Sequence, residues 1–139
     1  MPRLTDGSAG SQVPPGHNDT LFARAGGMGW FEAVADRFYA GVVDDPVLMP
    51  MYPANLDDAR RHLALFLAQY WGGPSTYSEQ RGHPRLRMRH VGFPIDQVAR
   101  DAWYGHMATA VRSGGLEPPD EAAMLDYLAA AADHLRNHQ

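Results

Sequence analysis

The chain has 139 residues, 45% hydrophobic and 20% charged, which suits one domain with a single apolar core. Its net charge of −4 argues against a general nucleic-acid binder. The absence of cysteine excludes disulfides, thiolate catalysis and cysteine-ligated zinc or iron–sulfur centres, and the 12 basic residues are all arginine, which removes lysine as a Schiff base.

No run of ~18 apolar residues is present, so no membrane span is expected, and the N-terminus lacks a secretory pattern. A cytoplasmic location is the expectation. Residues 1–19, rich in Gly, Ser, Pro and Asp, read as a flexible arm, and 20–139 as the folded domain.

From Thr20 onward the apolar spacing is helical. Thr20 caps a short helix that Gly26-Gly27 ends. The next helix runs from about Gly29 to Val43, with Phe31, Val34, Phe38 and Val42 on one face and Tyr39 beside them. Asp45-Pro46 opens a short helical turn that Tyr52-Pro53 closes. A third helix from Leu56 to Trp71 has the expected buried stripe Leu56, Ala59, Leu63, Phe66, Leu67 and Tyr70. Gly72-Gly73-Pro74 stops it, and a long polar loop leads to Pro84–His90, a short helix at most. A fourth helix starts at Phe93-Pro94, with Ile95, Val98, Ala102, His106 and Ala110 near one face and Trp103 and Met107 flanking it. The last begins at Glu117-Pro118 and carries Met124, Leu125, Leu128, Ala132 and Leu135. No segment alternates as a strand does, so the fold class is all-α.

Seven histidines are present, but no close cluster of zinc ligands, no Glu-x-x-His pair for a di-iron bundle and no nucleophile elbow. His90 stands after a long loop and before a helix, and one neutral imidazole is all that a haem needs from a protein. A hydrogen-bonded structural histidine is the competing reading. Arg85, Arg87 and Arg89 are open to three readings: a solvated face, a poor nucleic-acid patch, or partners for the two carboxylates of a haem. Tyr39, Tyr52 and Trp103 each join an apolar body to a hydrogen-bond donor.

The segments Arg37-Phe38-Tyr39-Ala40, Tyr52-Pro53, Phe66-Leu67-Ala68-Gln69-Tyr70-Trp71-Gly72-Gly73-Pro74, Thr76 through His90, and Arg100-Asp101-Ala102-Trp103 resemble a truncated haemoglobin of group II, mainly the actinobacterial type. The similarity runs in order from about Gly26 to Leu135. It implies a two-over-two helical sandwich around one haem b, with His90 as the proximal iron ligand. It also implies a distal site of Tyr39, Tyr52 and Trp103, with Ala59 where vertebrate globins place a distal histidine. Leu63 and Phe66 would line the distal wall, Met88 and Phe93 would pack near the proximal face, and Arg89 and Tyr77 would face the propionates. Two positions depart from the pattern: Gly92 replaces an expected proline, and His62 replaces an arginine that reaches a propionate. His62 therefore joins the cofactor-binding candidates.

The implied function is binding of O2, CO, NO or a similar small ligand at a pentacoordinate ferrous iron. Several donors imply slow oxygen release, which suits ligand chemistry better than bulk transport. The enzymatic alternative is nitric oxide dioxygenation or peroxide-driven oxidation, with a separate reductase because the chain has no flavin or nicotinamide motif. Assembly into a homo-oligomer stays open. A haem-free helical interaction module is the competing class, predicting salt-sensitive binding of polyanions and no Soret band.

Overall fold

Glycine and proline divide the chain into helices at the expected places. The computed structural model describes residues 20–82 and 95–136; the expected arm at 1–19, the segment 83–94 and residues 137–139 lie outside the described residues. Among the described residues the order is α1 (Leu21–Ala25), α2 (Met28–Val42), a 3-10 turn (Met49–Met51), α3 (Asp57–Tyr70), α4 (Thr76–Arg81), α5 (Gln97–Arg112) and α6 (Pro118–Leu135). None of these helices is long and apolar enough to cross a membrane.

The helix ends have local causes. The Thr20 hydroxyl accepts from Ala23 N–H at 3.0 Å, and the Asp96 carboxylate accepts from Ala99 N–H at 2.9 Å, so α1 and α5 each have a side-chain N-cap. Gly26 ends α1 at φ 113°, a left-handed conformation that favours glycine. Pro118 sits in the first turn of α6, where its missing N–H costs nothing.

Helix α2 packs against α3 and α5, and α5 packs against α6, which gives two helix pairs joined through α2 and α5. Phe31, Phe38, Leu67, Met107, Met124 and Leu128 are the large side chains fully enclosed at the contacts. Phe38→Ala is expected to destabilise the fold by ~3–5 kcal/mol, read as an earlier urea midpoint, because its ring is 0% exposed.

Three expectations change. Thr76–Arg81, read as loop, is helical: the Gln69 side chain accepts from Ser78 N–H and donates to Ser78 Oγ, and Tyr77 is buried, so tertiary contacts stabilise a turn too short to be helical alone. Tyr70, placed in the buried stripe of α3, is 54% exposed, because α3 turns Ala64 and Ala68 into the core and leaves Ala59, Leu63 and Phe66 half-buried. Val98, placed on the inner face of α5, is 61% exposed; the buried residues of that helix are Ala99, Met107, Ala108, Ala110 and Val111, since α5 is covered by both α2 and α6.

Candidate functional site

The half-buried residues of α3 face a cavity of about 290 Å³. Phe38 and Tyr39 from α2, Tyr52 from the end of the 3-10 turn, and Ala59, His62, Leu63, Phe66 and Leu67 from α3 form one part of its wall. Tyr77 and Arg81 of α4, Trp103 of α5, and Tyr127, Leu128, Ala131 and Leu135 of α6 form the rest. A second, largely apolar cavity of about 270 Å³ shares Tyr52, Trp103 and Leu135 with the first and extends along Leu48, Met51, Ile95 and Ala99.

Eight of the twelve candidate residues come together on this wall: Tyr39, Tyr52, Ala59, His62, Leu63, Phe66, Tyr77 and Trp103. The other four, His90, Arg89, Met88 and Phe93, lie outside the described residues.

Aromatic packing holds the polar members in place. Tyr39 and Tyr52 meet edge to face, centroids 5.4 Å apart, and Phe38 meets Trp103 edge-on at 6.0 Å. Burial, with Tyr52 as a second cause, holds the Tyr39 phenol well above the usual range, and burial pushes Tyr52 up to about 12. Both therefore stay neutral O–H groups across the physiological range.

An alkaline titration followed by ultraviolet absorbance is expected to show these two phenols ionising after exposed tyrosine, together with Tyr127, which burial also raises to about 12. The unfolded chain releases those protons near pH ~10 and the folded chain later, so stability is expected to fall as pH rises beyond that point.

The three tryptophans differ in how their indole N–H groups are used. Trp30 donates to the Gly114 carbonyl at 2.9 Å, a structural bond between α2 and the end of α5. Trp71 buries its Nε1 with no partner among the described residues and meets Tyr127 edge-on. Trp103 lines both cavities, and no hydrogen-bond acceptor for its indole N–H is present among the described residues. It is a donor left available beside the Tyr39–Tyr52 pair.

At the rim, exposed Arg81 places Nη1 3.3 Å from His62 Nδ1, and Tyr77 packs edge-on against Phe66 at 5.4 Å. Apolar walls, a cluster of neutral donors at one end and an arginine with a histidine at the rim suit a flat, largely apolar macrocycle carrying carboxylates. These residues fit a haem.

Sequence reading missed several wall residues. Arg81 lay in a segment read as loop, and Leu128 and Leu135 carried only a core signal. Tyr127, one residue from Leu128, offered no periodic signal of its own. Among the described residues no group of three or more His, Asp or Glu could hold a bare metal ion.

The helical order and the cavity define a small globin. A family model, bacterial-like globin, matches residues 20–137, and the chain belongs to that family, within which its most similar relatives include truncated haemoglobins of group II. Among them, the group 2 truncated hemoglobin YjbI of Bacillus subtilis is 39% identical over 104 residues, covering 75% of this chain and 79% of that protein. The crystal structure of the thermostable hemoglobin of Thermobifida fusca matches with a TM-score of 0.83 at 49% identity, covering 85% of this chain and 97% of that one. The group II truncated hemoglobin of Bacillus anthracis matches with a TM-score of 0.82 at 36% identity, covering 86% and 92%. Members of this family bind haem b through its iron.

Proposed function

We propose that this chain holds a haem b through His90 and binds O2 or another diatomic ligand on the side lined by Tyr39, Tyr52 and Trp103. The observation that carries the reading is Trp103, whose indole N–H has no acceptor among the described residues, on the same cavity wall as two buried, neutral phenols. Haem, when bound, supplies a ferrous iron that a small ligand can occupy.

The residues then divide the work. His90 would hold the iron through its imidazole. Trp103 and Tyr52 donate hydrogen bonds toward a ligand that carries partial negative charge, and Tyr39 donates its O–H to Tyr52 and orients that hydroxyl. Leu63, Phe66, Leu67 and Leu128 keep water out, so each donor acts in a low-dielectric space. Ala59 presents only a methyl group and leaves entry less obstructed. Arg81, with His62 beside it and Arg89 from the neighbouring segment, pairs with the propionates. Met88 and Phe93 would contact the macrocycle.

Slow ligand release follows from several donors and favours ligand chemistry over bulk transport. A separate reductase would return the iron to the ferrous state. The test is an absorption spectrum of the purified protein, ferric, reduced and with carbon monoxide. A Soret band that shifts sharply with carbon monoxide supports the reading; a chain that stays colourless after haem is added overturns it. Nitrate formed when the oxygenated protein meets nitric oxide would extend the reading to dioxygenation.

A further inference from the structure

His106 stands three residues beyond Trp103 on α5, about 4.5 Å further along the helix axis. It lines neither cavity that carries the candidate site. Its Nε2 lies 2.7 Å from the Asp45 carboxylate, across a sequence separation of 61 residues. The imidazole packs against the bare backbone of Gly41 on α2: a Cβ at that position would come within 2.4 Å of His106 Nδ1. Both the acceptor and the space are thus supplied by the α2 end of the chain.

Asp45 is also the foundation of the segment that ends at Tyr52. Its N–H donates to the Val42 carbonyl at 3.0 Å, and its side chain accepts from Val47 N–H at 2.8 Å. Its carbonyl accepts from Met49 N–H at 2.9 Å, and the Met49 carbonyl accepts from Tyr52 N–H at 3.1 Å. Leu48, within this run, is buried. An unbroken series of short-range bonds therefore runs from the partner of His106 to the backbone of Tyr52.

We infer that His106 is a positioning residue for the ligand site: by clamping Asp45 to α5 it sets the placement of the Tyr52 donor relative to Trp103. The inference rests on the proposed haem reading. It assigns the site's geometry to a bond made outside the cavity. Arg37, whose Nη1 donates to the Ala110 carbonyl at 3.1 Å, ties α2 to α5 at the next turn and holds the helices together when His106 is changed. Loss of the clamp then frees the 45–52 segment more than the helix pair.

The experiment compares His106→Leu, His106→Gln and Gly41→Ala with the wild-type haem-loaded protein. Three quantities are read: the carbon monoxide and oxygen dissociation rates, the infrared C–O stretch of the carbon monoxide complex, and the thermal midpoint. His106→Leu is expected to raise the oxygen dissociation rate by about 2- to 12-fold, the equivalent of one hydrogen bond, and to shift the C–O stretch. His106→Gln, which can still donate to Asp45, is expected to stay within about twofold of wild type. Gly41→Ala displaces the imidazole without altering either partner and is expected to move the same readouts as His106→Leu. Should His106→Leu fail to fold, Gly41→Ala carries the test, since it leaves both bonding partners intact. A lower thermal midpoint with unchanged dissociation rate and C–O stretch would overturn the inference and leave the haem reading intact. A wild-type protein with no Soret band would overturn both.

Discussion

Trp103→Phe is expected to release bound oxygen ~10- to 150-fold faster than the wild-type protein, measured by stopped flow. The substitution keeps an aromatic ring against Phe38 and removes only the indole N–H and part of the ring. That N–H has no acceptor among the described residues, and Trp103 lines the cavity, so a bond to the proposed ligand is open to it. A hydrogen bond to a group bearing charge is worth roughly 1.5–3 kcal/mol, which sets the range of the rate change. Trp30→Phe is the contrast. It deprives the Gly114 carbonyl of its donor and should lower stability while leaving the dissociation rate unchanged. An unchanged rate in Trp103→Phe would remove Trp103 from the ligand site.

His90→Ala is expected to abolish stable haem binding, lowering affinity by more than ~100-fold, because losing an iron ligand should cost more than losing an outer-shell partner of a ligand. Among the described residues, neither His62 nor His106 is placed to replace it. His62 is on the cavity wall but lies beside Arg81 at the rim, and His106 lines neither cavity and pairs with Asp45. The measurement is a haem titration of the purified variant followed at the Soret band, with added imidazole as a rescue. Normal ferrous spectra in the variant without imidazole would sink the proximal assignment. A variant that regains the band only with imidazole would place the defect at the iron.

The two substitutions test different roles in the proposed site, and their effects should separate. His90→Ala removes the cofactor, so no ligand rate remains to be measured. Trp103→Phe retains the cofactor and changes the rate alone. A Trp103 variant that lost haem outright would instead point to packing against Phe38 as the main role of that ring.

The helices were legible in the sequence because their signals are local. Thr20 caps, Gly26 reverses the chain, and Pro118 starts a helix through groups a few residues apart, whereas Asp96, the cap of α5, lies after the expected start at Phe93-Pro94. The candidate donors were legible for a different reason: Tyr39, Tyr52 and Trp103 sit within short segments that match a recognisable family pattern in order. What periodicity could not supply was which side of each helix meets which neighbour. Tyr70 and Val98 match a buried stripe by spacing, yet α3 and α5 turn them outward, since an arc becomes buried only where another helix covers it. Helix α4 exists because Gln69 and the core receive Ser78 and Tyr77, contacts made between separate helices. The same tertiary packing puts Arg81, Tyr127 and Leu135 on the cavity wall and brings Asp45 to His106. Periodicity and capping therefore determined the helices, and the family resemblance the class of the protein and its candidate donors. The cavity and the clamp beside it were decided only when α2, α3, α5 and α6 packed, because both depend on distances between residues far apart in the chain.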